Sequence, residues 1–279
     1  MSAVTIEPVS GGGLKWALAD GLTVTKRNML GMMRTPEIIL YGAIQPIMFV
    51  LLFSYVFGGA INVPGAPGAK YYREYLMAGI FAQNVLFGLM WTSVGLAEDM
   101  QRGIVDRFRS LPMARSAVLT GRALADTALN AFTLLIMILA GLLVGWRVHS
   151  SVLEALAGFG LLLLLAFAMC WIGAFIGLSV RDSRTAQSAG MILFPVTFLS
   201  NAFVPTQGMP DWLRAIADWN PFTTVVSACR ALFGNPNPVG NPGTLPGDHP
   251  ALVSLGWAVL VLVVFVPLAV RKYRMATSR

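Results

Sequence analysis

The sequence predicts an all-α polytopic membrane protein with six transmembrane helices. Three observations carry that prediction. The 279-residue chain is 56% hydrophobic and only 12% charged, where soluble domains carry about 25% charged residues. Six apolar stretches, at about 38–59, 76–97, 123–146, 155–180, 187–205 and 251–270, each come near the length of a spanning helix. Basic residues gather in alternate connections. With the N-terminus placed in the cytoplasm, fifteen of the twenty Lys and Arg fall inside, and Lys70, Arg73, Arg147, Arg214 and Arg230 fall outside. Both termini are then cytoplasmic, and the net charge of +7 reflects loop bias rather than nucleic-acid binding.

Residues 1–13 end in a Gly-rich stretch and read as a disordered N-terminus. They lack the basic region and apolar core of a cleavable signal peptide. Over 14–34, Leu18, Leu22, Met29 and Met32 follow a helical period beside Lys15, Lys26, Arg27 and Arg34. That pattern predicts an interfacial amphipathic helix, closed before Pro36. Residues 35–273 form the six-span domain, and 274–279 a cytoplasmic tail. Pro46, Pro195 and Pro267 lie within spans, where neighbours can satisfy the freed backbone groups.

Between spans two and three runs EDMQRGIVDRFRSLPMARSAVLTGR, from Glu98 to Arg122. Met100, Ile104, Phe108 and Leu111 recur at helical spacing, while Arg102, Arg107 and Arg109 fall largely elsewhere around the helix. Glu98 and Asp99 are read as the start of a short helix and Pro112 as its end. Such a helix is either a loop made basic by topology, resting on the lipid interface, or a docking element for a soluble partner. The spacing alone favours the first.

The largest outer segment, 206–250, carries a predicted pair of short helices at the outer leaflet. Trp212, Ile216 and Trp219 share a face of the first. Asn220-Pro221 opens the second, through Phe222, Val225, Val226, Cys229, Arg230 and Phe233 to Gly234.

The middles of the predicted spans hold no Asp, Glu, Lys, Arg or His, which argues against ion-driven transport. Asp126 lies near the inner end of span three, four residues after Arg122, and is expected to pair with it. The remaining polar residues are neutral: Gln45, Gln83, Asn84, Asn130, Thr133, Thr197 and Asn201. Singly these suit interhelical hydrogen bonds, worth about 0.6 kcal/mol each. As a set they could line the path of an amphiphile. Gly141-x-x-x-Gly145 and Gly173-x-x-x-Gly177 permit close helix contact, within the chain or across a dimer.

Enzyme chemistry is poorly supported. His149 and His249 are isolated, and Cys170 and Cys229 suggest neither a disulfide framework nor a metal site. No Gly-x-Ser-x-Gly elbow occurs, and none of the four lysines follows a glycine, so the phosphate-cradling loop is missing.

Three stretches, TKRNMLGMMRTPEIILYGAIQPIMFVLLFSYVFGG, YREYLMAGIFAQNVLFG and GLAEDMQRGIVDRFRSLPMARSAVLTGRALAD, together with WNPFTTVVSACRALFG, carry a family likeness. From about Leu14 to Tyr273 the chain resembles the ABC type-2 export permeases, in particular the daunorubicin-resistance-type drug-efflux subfamily. The resemblance implies a permease of a prokaryotic plasma membrane that dimerises with a second copy or a related permease. It would pair with an ABC ATPase subunit that binds the ATP and Mg, this chain holding no cofactor or metal. It would move a drug, antibiotic or lipid-like amphiphile outward. The resemblance also makes the Glu98–Pro112 segment a coupling helix seated on the ATPase. Ile104, Phe108 and Leu111 would be its anchors, with Glu98, Arg102, Arg107 and Arg109 as the charged members of the contact. Gln45, Gln83, Asn84, Asn130, Thr133 and Asn201 are the candidate substrate path, and Trp212, Trp219, Phe222 and Arg230 mark the outer helices. A permease for lipid or polysaccharide and a non-transporting membrane scaffold remain alternatives.

Overall fold

A computed structural model describes residues 14–33, 36–58, 61, 63–65, 68–103, 115–238 and 244–276. Its regular structure is helical. Helix α1 spans Leu14–Met33, and α2 spans Pro36–Leu52 and continues as a π-helical turn, Phe53–Phe57. Then come α3 (Ala69–Gln101), α4 (Arg115–Val144) and α5 (Val152–Gly177). Two short helices, α6 (Ser183–Met191) and α7 (Leu193–Phe198), lead to a further short pair, α8 (Asp211–Trp219) and α9 (Pro221–Phe233). A single turn, α10 (Leu245–Asp248), precedes α11 (Pro250–Ala276). Among the described residues, four helices are long and apolar enough to cross a membrane: Ala69–Gln101, Val118–Val144, Val152–Gly177 and Pro250–Met275.

Two buried clusters mark the ends of the bundle. At one end Leu96, Leu119, Ala174 and Tyr273 meet, so the C-terminal ends of α3, α5 and α11 sit beside the N-terminal part of α4. At the other end Tyr72, Trp146, Leu161 and Phe233 share a core, with Phe81, Trp146 and Phe233 in edge-to-face contact. The long helices therefore run up and down. The first end carries Arg102, Arg122, Arg271 and Arg274 and is the basic end.

Helix α3 is the axis. At 33 residues it reaches about 50 Å, and 19 of its residues are buried. Its contact with α5 depends on glycine. A Cβ on Gly173 would lie 2.5 Å from the Leu89 carbonyl oxygen, and one on Gly177 2.6 Å from that of Ser93. The Gly173-x-x-x-Gly177 pattern thus serves a contact within the chain. The other small-residue pair divides its work. Gly141 faces the Met77 side chain, while Gly145, at φ +99°, lets the chain leave α4 in a conformation that L side chains rarely adopt.

Three details differ from the sequence expectation. The predicted span 187–205 is interrupted: α6 ends at Met191, α7 covers six residues, and the chain turns at Leu199. Pro195 supplies no backbone N–H, and the amide of Ile192 bonds the carbonyl three residues back, tightening the chain there. Glu98 and Asp99 do not begin a helix. They occupy the last turn of α3, which continues through good helix formers until Gly103 takes φ +65° and the Arg102 N–H caps the Glu98 carbonyl. Finally, the outer helix pair is not two of a kind. Helix α8 exposes Trp212, Ile216 and Trp219, whereas α9 buries Phe222, Val225, Val226, Cys229 and Arg230 against the bundle.

Candidate functional site: a cleft between three helices

A cleft of about 430 Å³ opens between α2, α3 and α4, within the size range of small-molecule sites. Its α3 wall is one helical stripe, Ile80, Gln83, Phe87, Trp91, Val94 and Glu98, stepping by three or four residues, with Asn84 beside Gln83. The α4 wall is a second stripe: Arg122, Asp126, Leu129, Asn130 and Thr133. From α2 come Gln45, Pro46 and Phe49.

Ions close the cleft at the basic end. Arg122 donates from Nε to both Asp126 oxygens, at 3.2 and 3.1 Å, and from Nη1 to Asp99 Oδ2 at 2.8 Å. Thr92 adds a 2.7 Å hydrogen bond to Asp126 Oδ2. Arg27 of α1 contributes a further positive charge within electrostatic reach of Asp99. Gly95 leaves room here, because the Arg122 guanidinium lies where a Cβ at 95 would project. Fork geometry lets one arginine bridge carboxylates on two helices, so this residue staples the end of α3 to α4. Those two ends flank residues 104–114.

The middle of the cleft is polar but uncharged. Asn130 donates from Nδ2 to the Asp126 carbonyl at 3.0 Å, and Thr133 to that of Leu129 at 3.1 Å, each within its own helix. Gln83 and Asn84 differ: Gln83 Nε2 and Asn84 Nδ2 are buried with no hydrogen-bond partner. Aromatic rings run outward along α2. Phe49, Phe53 and Phe57 stack in sequence, with centroids 5.8 and 5.1 Å apart, and Phe53 also stacks on Phe203 at 4.9 Å.

Of the six residues named as the candidate substrate path, Gln45, Gln83, Asn84, Asn130 and Thr133 line this cleft. Asn201 does not. It lies in the turn after α7, donating from Nδ2 to Ser227 Oγ at 2.7 Å and accepting Arg230 and Tyr75 on its carbonyl. Glu98, assigned to docking, is part of the cleft wall and pairs with Arg102 at 3.2 Å. Ile104, Arg107, Phe108, Arg109 and Leu111 lie outside the described residues. Sequence reasoning left out Phe49, Phe87 and Trp91. Their signal was available in the three-to-four spacing that joins Phe87 and Trp91 to Gln83 and Glu98 on one face of α3.

Arg230, one of the five cations counted on the outer side, is enclosed by the bundle. It is fully buried and donates to backbone carbonyls: Tyr75 at 2.8 Å, Asn201 at 2.8 Å and Ala202 at 3.1 Å. Its guanidinium also lies 3.4 Å from the Tyr75 ring centroid. Tyr72 donates to the Phe203 carbonyl at 3.1 Å, and Asn220 Nδ2 to those of Val196 and Leu199 at 2.8 Å each. Irregular backbone inside an apolar bundle must find such partners, and this turn finds them in side chains from α3 and α9.

Comparisons with known proteins identify the family. Residues 21–233 match the ABC-2 type transporter family model. A daunorubicin resistance ABC transporter permease protein, DrrB1 of Streptomyces coeruleorubidus, is 31% identical over 259 residues, covering 92% of this chain and 87% of its own. A probable doxorubicin resistance ABC transporter permease protein, DrrC of Mycobacterium tuberculosis, is 23% identical over 99% of this chain and 96% of its own. A putative transport permease, ycf38 of Porphyra purpurea, is 25% identical over 76% and 73%. The chain belongs to the ABC-2 type transporter family and is a multi-pass membrane permease subunit of an ABC exporter, with ATP hydrolysis on a separate subunit.

Proposed function

We infer that this permease exports a hydrophobic or amphipathic small molecule, of the kind that the names of its drug-resistance relatives indicate. The cleft between α2, α3 and α4 is its cargo site. The carrying observation is that one cleft joins an aromatic and amide-lined middle to an ion network at the two helix ends flanking residues 104–114. An ABC ATPase engages that segment from the cytoplasm, with Ile104, Phe108 and Leu111 as its apolar anchors. ATP binding shifts the segment, and Arg122 passes the movement to α3 and α4 together. Six crossings complete the topology, with α2 and the α6–α7 pair as the shorter ones, and both termini cytoplasmic as the charge asymmetry requires. The outward apolar faces of α11 (Leu252, Val259, Val263) and of α2 (Met48, Leu51) meet lipid or a second permease copy.

The test is ATPase activity of the permease purified with its cognate ATPase in lipid discs, across a panel of amphiphiles. Stoichiometric copurification with stimulation by one compound class is the expected result. Phe108→Asp should abolish the stimulation without loss of folded permease. Copurification without stimulation by any amphiphile would favour a non-transporting scaffold instead. Full transport by Phe108→Asp would remove the coupling assignment.

A further inference from the structure

The charged groups of the cleft are already satisfied. Asp126 is 5% exposed and accepts Arg122 on both oxygens and Thr92 on one. Arg122 spends its remaining reach on Asp99, and Glu98 pairs with Arg102. A cationic cargo seeking Asp126 would have to displace a guanidinium that is held from two helices. Asn130 and Thr133 are likewise satisfied inside α4.

Two groups remain. Gln83 is 3% exposed, and its Nε2 lacks a partner, as does Asn84 Nδ2 next to it. Both residues line the cleft. A buried N–H without an acceptor carries an uncompensated desolvation cost, which any acceptor placed there relieves. On the same stripe of α3, Phe87 and Trp91 lie four and eight residues from Gln83, about 6 and 12 Å along the helix. Thr92, which bonds Asp126, is nine residues from Gln83, or about 14 Å along the helix. A drug-sized molecule with a polar atom at the amides therefore covers the aromatic rings before it reaches the ions.

We propose that Gln83 and Asn84 are the specificity-determining residues of this cleft. They read an uncharged hydrogen-bond acceptor, a carbonyl or ether oxygen, on an aromatic amphiphile, and the carboxylates beneath them do not recognise cargo. This inference rests on the cleft being the cargo site. Sites that offer hydrogen bonds reject analogues that cannot accept them more sharply than apolar sites reject a missing methylene.

The experiment measures binding of tritiated 2-octylfluorenone to the permease–ATPase complex in lipid discs. Competitors are its deoxo analogue 2-octylfluorene and a version of the ketone ending in trimethylammonium. The ketone should bind at least roughly tenfold more tightly than the deoxo compound, and the added cation should not improve it. Gln83→Met and Asn84→Leu, each checked for a monodisperse complex, should shrink the ketone preference to about twofold while the deoxo compound binds as before. Equal binding of ketone and deoxo compound, or a gain of tenfold or more from the ammonium, would overturn the amide reading and leave the cleft as cargo site. Binding of all three compounds that survives Trp91→Ala and Phe87→Ala unchanged would overturn the cleft itself.

Discussion

Two arginines, one toward each end of the bundle, solve the problem of a buried cation in opposite ways. Arg122, at the basic end, has a side chain 17% exposed and is matched by Asp99 and Asp126. Arg230, at the other end, is fully buried and, among the described residues, has no carboxylate within ion-pair distance. Its partners are three backbone carbonyls and a tyrosine ring. The difference follows from what each end must hold together. The basic end joins two regular helices side by side, and side-chain charges make the link. The opposite end must house a turn, Leu199–Phe203, whose carbonyls have left helix geometry, and a guanidinium with five donors serves several of them at once. One arginine bridges charges between two helices, and the other completes an irregular stretch of backbone.

That contrast orders the expected effects of mutation. Arg230→Ala should do the most damage, because it takes the donors from the Ala202, Asn201 and Tyr75 carbonyls together, and a buried carbonyl left without a donor, as that of Ala202 would be, costs about 1–3 kcal/mol. Little monodisperse permease should be recovered, and Arg230→Lys should rescue it only in part, since an ammonium cannot reproduce the fork. Normal yield and thermal midpoint for Arg230→Ala would show that the clamp is dispensable. Arg122→Gln should cost roughly 1–2 kcal/mol, less than Arg230→Ala because Asp99 keeps some access to water and Asp126 keeps the Thr92 hydroxyl. A double-mutant cycle of Arg122→Gln with Asp126→Asn should return a coupling of about 1 kcal/mol. Zero coupling would separate the pair energetically despite its geometry. Gly95→Ala should act in the same direction more weakly, about 0.5–1 kcal/mol, by pushing the guanidinium off α3. A silent Gly95→Ala with unchanged transport would mean that Arg122 relaxes freely. Trp212→Ala, on the exposed face of α8, should fall within about 0.5 kcal/mol. A larger loss would place this tryptophan in a contact outside the described chain.

The molecule repeats the same lesson in its outer helices. Helices α8 and α9 have similar amphipathic spacing, yet α8 leaves Trp219 64% exposed while α9 buries Phe222 to 4%. Spacing says that a face is apolar, not what covers it. Helix α9 lies against α5 and α11, and Asn220 serves two roles there. It caps α9 by accepting from the Phe222 amide at 2.9 Å, which Asn-Pro announces, and it donates to the end of α7, which nothing local announces.

The sequence alone determined the solvent for which the chain is built, because apolar runs of spanning length and basic bias in the connections are properties of composition along the chain. It also carried the Arg122–Asp126 pair, since residues four apart share a helix face in any helix. The Gly173-x-x-x-Gly177 contact was legible as a motif, though not its partner. Five of the six neutral polar residues marked as a path line one cleft, because polar groups within apolar helices avoid lipid and gather where helices face one another. Only the tertiary structure decided the rest. The break between α6 and α7 creates backbone groups in need of partners, and which side chains answer depends on how α3, α7 and α9 meet. Counted among the outer cations, Arg230 becomes the most buried cation described. A charge is placed by the acceptors around it, and those come from residues 155 and 29 positions away in the chain.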